Sequence, residues 1–375
     1  MSQTTTPPVS APSDSARLLS LDALRGFDMF WIVGAGELVR GLEKVSKGGV
    51  LGWIAGQLHH KAWEGFHFED LIFPLFVFIV GVSLVFSLGK SLENVGRSAT
   101  LIKVFKRSAL LFFIGILYYG GFSQPVEKMR LLGVLQRLAL SYLGASLLFC
   151  FLKPRGLVAA LAGILVGYWA MLSFIPVPGH GAGNFAEGAN LANYVDKLYL
   201  PLHRYDGDHD PEGILSTLPA VGSCLLGVLA GLLLKKPTLS DSCKVGRLAL
   251  WGVGCLSIGW LWHLNFPVIK KIWTSSFVLV AGGYSFLLLA FFYQIVDVWK
   301  WRRWAMPLVW IGVNPITIYF GGKFIDFEGF AKLFVGGPVA TAAGPYAELV
   351  SVVASLLCGF LFLKFLYDRK IFLRV

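Results

Sequence analysis

The chain carries little charge and lacks the short motifs of several common enzyme mechanisms. Only 15% of its 375 residues are charged, whereas soluble domains carry roughly 25%. No GxxxxGKS/T, HExxH or GxSxG is present, which argues against ATP-driven transport, zinc proteolysis and serine hydrolysis. The five cysteines form no CxxC pair and four lie in or beside apolar blocks. They are therefore interpreted as small buried hydrophobes rather than disulfides or metal ligands, and no metal is expected.

The chain is instead rich in long apolar blocks. Hydrophobic residues make up 55% of the chain and form blocks of about twenty, the length that crosses the hydrocarbon core of a bilayer. In lipid the backbone must satisfy its own hydrogen bonds, so these blocks are predicted to be helices. The fold class is all-α, a polytopic transmembrane bundle of about ten spans. The predicted spans are 24–40, 70–89, 108–122, 131–151, 157–175, 213–234, 247–264, 274–296, 304–322 and 346–366.

The rest of the chain is predicted to comprise a tail, one domain and one long loop. Residues 1–16 are rich in Ser, Thr and Pro and are expected to be disordered, with no cleavable signal peptide. Residues 17–375 form a single membrane domain. The loop 176–212 is expected to be ordered and functional, because it mixes polar residues with aromatic and aliphatic ones.

Lysine and arginine predict the orientation of the bundle. The positive-inside rule places short basic connections in the cytoplasm, so both termini are predicted there and 176–212 on the outer face. The same rule explains the net charge of +11 without nucleic-acid binding. The basic set comprises the N-terminal tail, 90–107, Lys153 and Arg155, 235–247, 297–303 and the tail from Lys364.

Titratable side chains are concentrated just before the second span. A carboxylate that holds one ring nitrogen of a histidine leaves the other as a base near neutral pH; the alternative is rings that only reach the headgroups. Spacing alone does not rank the three histidines. Asp70 precedes Leu-Ile-Phe-Pro and is predicted to be a helix N-cap. The cluster comprises His59, His60, His67, Glu64, Glu69 and Asp70.

Polar residues inside the spans are further candidates. Arg25 has acids three residues away on either side, so it either neutralises them or presents its guanidinium to a phosphate. Gln136 and Arg137 fall within span four. They are interpreted either as part of a structural salt bridge or as facing a polar cavity. Asn314 precedes Pro315, which should kink span nine, and is a candidate ligand contact.

The sequence Asp210-Pro-Glu-Gly opens span six. Asp210 is predicted to be the N-cap with Pro211 at the first helical position. Its carboxylate and that of Glu212 would also face a cationic ligand arriving from outside.

Together these motifs resemble the heparan-α-glucosaminide N-acetyltransferase family of transmembrane acyltransferases, and within it the bacterial members often found beside N-acetylglucosamine utilisation genes. No single motif is very specific, but their order along the chain is. The motifs are Arg17–Gly26, His60–Gly65 leading into Asp70–Gly81, Gly133–Arg137, Asp210–Gly213 and Trp310–Asn314.

The resemblance implies a bundle of ten or eleven helices that transfers acetyl from cytosolic acetyl-CoA to an amino sugar on the far side. The active histidine of the family lies three residues before the Trp of a Trp-x-Gly motif, which matches His60. The chain departs from lysosomal members in having Gly34, Ala35 and Gly36 near the position of their first-span asparagine.

The sequence therefore predicts an acetyl-CoA-dependent amino-sugar N-acetyltransferase in a bacterial inner membrane. His60 is the predicted base, oriented by Glu64 or Asp70, and works either by direct transfer or as a transient acetyl carrier. The alternatives are an amino-sugar transporter and an O-acetyltransferase of an envelope polysaccharide; the acceptor and a homodimeric state are left open. Predicted acetyl-CoA contacts are Arg25, Lys103, Arg107, Lys236, Arg137 and Gln136, and predicted amino-sugar contacts are Asp210, Glu212, Trp63 and Asn314.

Overall fold

The computed structural model describes residues 18–45, 48–123 and 125–372; the predicted tail 1–16 lies outside these residues. The structure is 75% helical and contains no sheet within this part of the chain. Its α-helices are α1 (Leu19–Val45), α2 (Gly49–Gln57), α3 (Phe68–Tyr118), α4 (Val134–Phe151), α5 (Pro154–Phe174), α6 (Leu191–Tyr199), α7 (Thr217–Leu234), α8 (Asp241–His263), α9 (Ser275–Phe292), α10 (Met306–Gly312), α11 (Pro315–Phe324), α12 (Phe327–Val335), α13 (Pro338–Ala343) and α14 (Ala347–Asp368).

Helix α3 is a hairpin of two helical arms, 68–95 and 97–118. Gly96 has φ 77° and ψ 177°, a conformation that glycine adopts without a steric cost. Ser91 Oγ lies 2.9 Å from Thr100 Oγ1, although nine residues of straight helix would separate them by about 13 Å. The chain therefore reverses at Gly96, and the connection predicted over 90–107 is helical on both sides of that residue.

Within the described residues, seven helices are long and apolar enough to cross a membrane by length and composition. All ten predicted spans coincide with helices to within a few residues, which confirms an all-α membrane bundle. The number of crossings stays a prediction. Span nine is two helices rather than one kinked helix, because α10 ends at Gly312 and Pro315 starts α11.

Glycine allows the first arm of α3 and helix α7 to pack with their backbones in contact. A Cβ on Gly81 would lie 2.0 Å from the carbonyl oxygen of Cys224, and one on Gly227 would lie 1.9 Å from that of Phe78. Small residues at helix crossings are typical of membrane bundles, where close packing drives association. The first arm of α3 and α7 thus form the centre of the bundle.

The two ends of the bundle are formed by different connections between the helices. At one end, Lys235 Nζ lies 3.5 Å from Glu93, and Tyr293 Oη donates to Asp241 at 2.7 Å. These contacts join the hairpin turn of α3, the α7–α8 connection and the end of α9, and the first two belong to the predicted basic set. This end is called the basic end. The opposite end, called the loop end, is formed by 58–67, 119–123, 125–133, 175–216 and 264–274.

Candidate active site

A cavity of about 790 Å³ extends through the bundle from one end towards the other. The first arm of α3 lines it with Glu69, Phe73, Phe76, Val80 and Ser83, whose spacing places them on one face of the helix. The fourteen residues from Glu69 to Ser83 span about 21 Å at the helical rise. The cavity therefore provides a path between the loop end and the basic end.

His60 lies at the loop end of this cavity, beside a buried carboxylate. Its Nδ1 is 3.2 Å from Oδ1 of Asp70; the His60 side chain is 60% exposed and that of Asp70 is fully buried. The other oxygen of Asp70 accepts from the backbone N–H groups of Lys61 and His67, at 3.2 and 3.0 Å. The carboxylate is thus immobilised and can orient the imidazole ring.

The predicted capping role of Asp70 is corrected in detail. Helix α3 begins at Phe68 with His67 as N-cap, so Asp70 is at the third helical position. From there its carboxylate accepts from the N-cap N–H, which is the reciprocal half of a capping box. This arrangement leaves Oδ1 facing His60, so Asp70 supports both the helix start and the site.

The other two histidines and Glu64 are directed elsewhere. His59 Nε2 pairs with Glu43 at 2.8 Å, and His67 Nδ1 lies 3.0 Å from the carbonyl oxygen of His59. Neither ring lines the cavity. Glu64 lies 3.6 Å from His263 Nε2 and does not contact His60. The geometry therefore favours Asp70 over Glu64 as the residue that orients His60.

Lys270 was not predicted, yet it contacts both members of this pair. Its Nζ lies 3.0 Å from His60 Nδ1 and 3.4 Å from Asp70 Oδ1. Its loop is anchored because Gly65 N–H donates to the carbonyl oxygen of Val268 at 2.9 Å. A sequence signal did exist: Lys270 and Lys271 form a basic pair in a connection that the positive-inside rule predicts to be poor in lysine.

Arg130, also missed from the sequence, binds both acids of the Asp-Pro-Glu segment. It donates to Asp210 from Nε at 2.9 Å and from Nη2 at 2.6 Å, and it contacts Glu212. Its guanidinium lies 4.9 Å from the ring centroids of Tyr119 and Tyr205. Burial alone would lower the pKa of Arg130, but the bond to Asp210 and the charge of Glu212 raise it.

The two acidic residues predicted to contact the amino sugar differ in their position relative to the cavity. Asp210 is buried and does not line the cavity, whereas Glu212 does. The prediction that Asp210 caps span six is wrong, because α7 begins at Thr217 with Ser216 before it. Residues 210–216 form turns that Asp210 stabilises by accepting the N–H of Glu212 at 3.0 Å.

Of the predicted acetyl-CoA contacts, Arg25 and Arg107 line the cavity. Arg25 donates to Ser83 Oγ at 2.8 Å and lies 3.0 Å from Asp22 Oδ1. Lys103 and Lys236 are exposed and outside the lining. The basic end of the cavity is therefore lined by two arginines, a side chain suited to phosphate.

Arg137 and Gln136 are buried beside the cavity but do not line it. Arg137 donates to Ser216 Oγ and lies 4.9 Å from the ring centroid of Trp273. Gln136 packs against Gly115, where a Cβ would lie 2.4 Å from its amide oxygen. In the structure both side chains pack against protein groups.

Trp63 and Asn314 also lie outside the lining. Trp63 Nε1 donates to the carbonyl oxygen of Phe185 at 3.0 Å and so joins the 58–67 loop to the 176–212 loop. Asn314 Nδ2 donates to the carbonyl oxygen of Ile371 at 3.0 Å, which holds the α10–α11 break against the end of the chain.

A group of possible metal ligands lies near the cavity mouth. Atoms of Glu187, Asp206 and His209 lie within 4.8 Å of one another. However, Nζ of Lys271 is 2.8 Å from Glu187 and 3.0 Å from Asp206. An ammonium group thus already supplies the positive charge between these carboxylates.

The fold and site define a class: helical membrane proteins with an internal cavity that joins a basic end to a histidine–carboxylate pair. A family profile described as heparan-alpha-glucosaminide N-acetyltransferase, catalytic, matches residues 17–263. The chain belongs to this family.

Two curated relatives carry the same name. The human heparan-alpha-glucosaminide N-acetyltransferase is 30% identical over 367 residues, which cover 83% of this chain and 53% of the human protein. The mouse protein of that name is 28% identical over 376 residues, covering 85% of this chain and 55% of its own length. The chain thus spans about half the length of the relatives it matches.

Proposed function

We propose that the protein is a membrane acetyltransferase that transfers acetyl from acetyl-CoA, bound from the basic end, to the amine of an amino sugar at the loop end. The observation that carries this proposal is the continuous cavity with Arg25 lining one end and His60 the other. The family and the printed names of the relatives support the reaction and the substrate class.

The two ends of the cavity suit the two reactants. Arg25 and Arg107 would pair with the phosphates of the donor, and the apolar stripe of Phe73, Phe76 and Val80 would contact its pantetheine arm. Because acetyl-CoA is cytosolic, the basic end would face the cytoplasm of a bacterial inner membrane, in agreement with the positive-inside rule.

His60 would act as the general base. With its proton on Nδ1, directed to Asp70, the ring exposes Nε2 to the cavity as a proton acceptor. The amine attacks the thioester carbonyl carbon, a C–N bond forms and the C–S bond breaks. Nε2 takes the proton released from nitrogen and returns it to the CoA thiolate, so the products are the acetamide and CoA-SH.

The test uses purified protein in detergent with labelled acetyl-CoA and glucosamine. We expect N-acetylated sugar from the wild type, loss of transfer in His60→Ala, and normal transfer in the matched control His59→Ala, whose ring pairs with Glu43 at the surface. Sugar uptake into vesicles without label transfer would instead support a transporter. Label on hydroxyl groups of an envelope polysaccharide, but not on amines, would identify an O-acetyltransferase.

The same assay separates direct transfer from an acetyl-histidine intermediate. A single cavity lined by both Arg25 and His60 would allow both reactants to meet, which favours direct transfer. We therefore expect no burst of CoA release when the amino sugar is omitted. A burst stoichiometric with enzyme, with label retained on His60, would demonstrate the intermediate instead.

A further inference from the structure

Lys270 is held against the proposed reacting groups by residues far away in sequence. Glu64 and Ile269 form an isolated antiparallel bridge, and Gly65 donates to the carbonyl oxygen of Val268. These backbone contacts align the loop 264–274 with the loop that carries His60. They direct the Lys270 side chain, which is only 18% exposed, into the cavity wall.

The other cations at this end are neutralised or exposed. Arg130 is paired with Asp210 and Glu212, and Lys271 with two carboxylates of the 176–212 loop. Lys61 is exposed to solvent. Among the cavity-lining residues that the structure describes, Lys270 is thus the cation in contact with His60.

The contacts of Lys270 leave it able to bind a ligand. An ammonium has three N–H donors, and His60 Nδ1 and Asp70 Oδ1 account for two of them at most. Since Nδ1 either accepts from Lys270 or donates to Asp70, but cannot do both, the base tautomer of His60 requires Lys270 to move one donor away. A carbonyl oxygen in the cavity is a suitable acceptor for that donor.

We propose that Lys270 is a catalytic residue of the acetyl transfer, whose ammonium binds the thioester carbonyl oxygen and stabilises the oxyanion formed when the amine attacks. This inference rests on the proposed function. As the C–N bond forms, the carbonyl π electrons move to oxygen and are held by Lys270. They return as the C–S bond breaks, while the amine proton passes through His60 to the thiolate.

A donor aimed at developing charge is effective in such a site. The cavity wall is largely apolar, so a charge interaction there is stronger than in water. Loss of a single oxyanion donor typically lowers kcat by about 100- to 1,000-fold. Because the interaction strengthens as the oxyanion forms, its loss should reduce kcat much more than it changes KM.

The proposal has a pH signature. Burial lowers the pKa of Lys270, and the opposing charges of Asp70, Glu69 and Glu212 do not cancel this effect. The titratable and charged groups that face Lys270 are therefore His60, Glu69, Asp70 and Glu212. Activity that needs the ammonium should fall as pH rises through the pKa of Lys270. Arginine stays protonated at these pH values, so Lys270→Arg should move this fall to higher pH.

The experiment compares wild type, Lys270→Met and Lys270→Arg with the control Lys332→Met, an exposed lysine on α12 that pairs with Glu328. Steady-state transfer is measured from pH 6 to 10, and folding is followed by thermal unfolding in detergent. We expect kcat to fall about 100-fold or more in Lys270→Met with little change in KM for acetyl-CoA. Lys270→Arg should stay within about tenfold of wild type with its alkaline limb shifted upwards, and the control should be unchanged.

Each alternative outcome has a distinct meaning. Normal kcat in Lys270→Met, or an alkaline limb that Lys270→Arg does not move, would overturn the role of Lys270 and leave the proposed function intact. The comparison of wild type with Lys270→Arg decides the matter even if Lys270→Met fails to fold. Absence of transfer in the wild type would overturn the proposed function, and this inference with it.

Discussion

The imidazole of His60 and the carboxylate of Asp70 approach within 3.2 Å although one side chain is 60% exposed and the other fully buried. Asp70 is held by two backbone N–H donors on its other oxygen, so the exposed ring is anchored by a rigid partner. This pair joins the start of the first α3 arm to the mouth of the cavity.

Asp70→Asn tests the orienting role of this carboxylate. The amide oxygen can still accept from the backbone N–H groups of Lys61 and His67, so the helix start should survive. The ring loses its charged acceptor, and we expect kcat to fall roughly 100-fold or more with little loss of thermal stability. Asp208→Asn is the matched control, because this side chain of the long loop is 45% exposed and lies outside the cavity lining. Wild-type kcat in Asp70→Asn would exclude an orienting role for Asp70.

Arg25→Ala tests the donor end of the cavity. Loss of a charge-assisted contact to a phosphate should raise KM for acetyl-CoA about tenfold or more, whereas Lys236→Ala, at an exposed position, should change it little. The kinetics are read alongside thermal unfolding, because Arg25 also contacts Asp22 and Ser83. Equal effects of the two variants on KM would contradict donor entry beside Arg25.

Gly227→Ala tests the packing of α7 on α3. The added Cβ would meet the carbonyl oxygen of Phe78 at 1.9 Å, so the helices must separate at a cost of roughly 1–3 kcal/mol. Gly167→Ala is the matched control in α5, because a Cβ there has nothing within 4 Å. We expect a lower unfolding temperature for Gly227→Ala and an unchanged unfolding temperature for Gly167→Ala. Unchanged stability of Gly227→Ala would contradict backbone contact at this crossing.

Asp196 provides a pH test of the long loop. Burial raises its pKa to about 6, against the lowering effect of N–H donation from Ile214 and Asp210. The folded state therefore holds this proton more tightly than the unfolded state. Its contribution to stability is fully present below about pH 4 and is lost as pH rises through about 6, with a slope of at most about 1.4 kcal/mol per pH unit.

Asp196→Asn should make the unfolding temperature less dependent on pH over this window, because the amide does not titrate there. Asp208→Asn serves as the comparison: the hydrogen bond from His209 lowers the pKa of Asp208, so this carboxylate titrates below the window and the variant should retain the wild-type slope. If the two variants have the same pH profile, burial of Asp196 does not control the stability of the loop.

Much of the fold could be predicted because lipid leaves the backbone few choices. Blocks of about twenty apolar residues must be helical in a bilayer, and all ten predicted spans coincide with helices. The reversal at Gly96 and the break at Pro315 also have local causes, a positive φ and a missing N–H. Exact helix starts were harder to predict: α7 begins seven residues after Asp210, whose carboxylate binds Arg130 and the N–H of Glu212 in the turns before the helix.

The sequence by itself determined the membrane bundle. It also predicted the sorting of the basic connections and, through the Trp63-Glu-Gly match to the family, His60 among three histidines. Only the tertiary structure decided its neighbours. Lys270 reaches His60 across 210 positions of sequence and Glu64 turns to His263, while Arg137 packs away from the cavity. Helix formation depends on local hydrophobicity, which a sequence displays directly. The partners of a charged side chain depend on how loops from distant segments are aligned, which is settled only when the bundle packs.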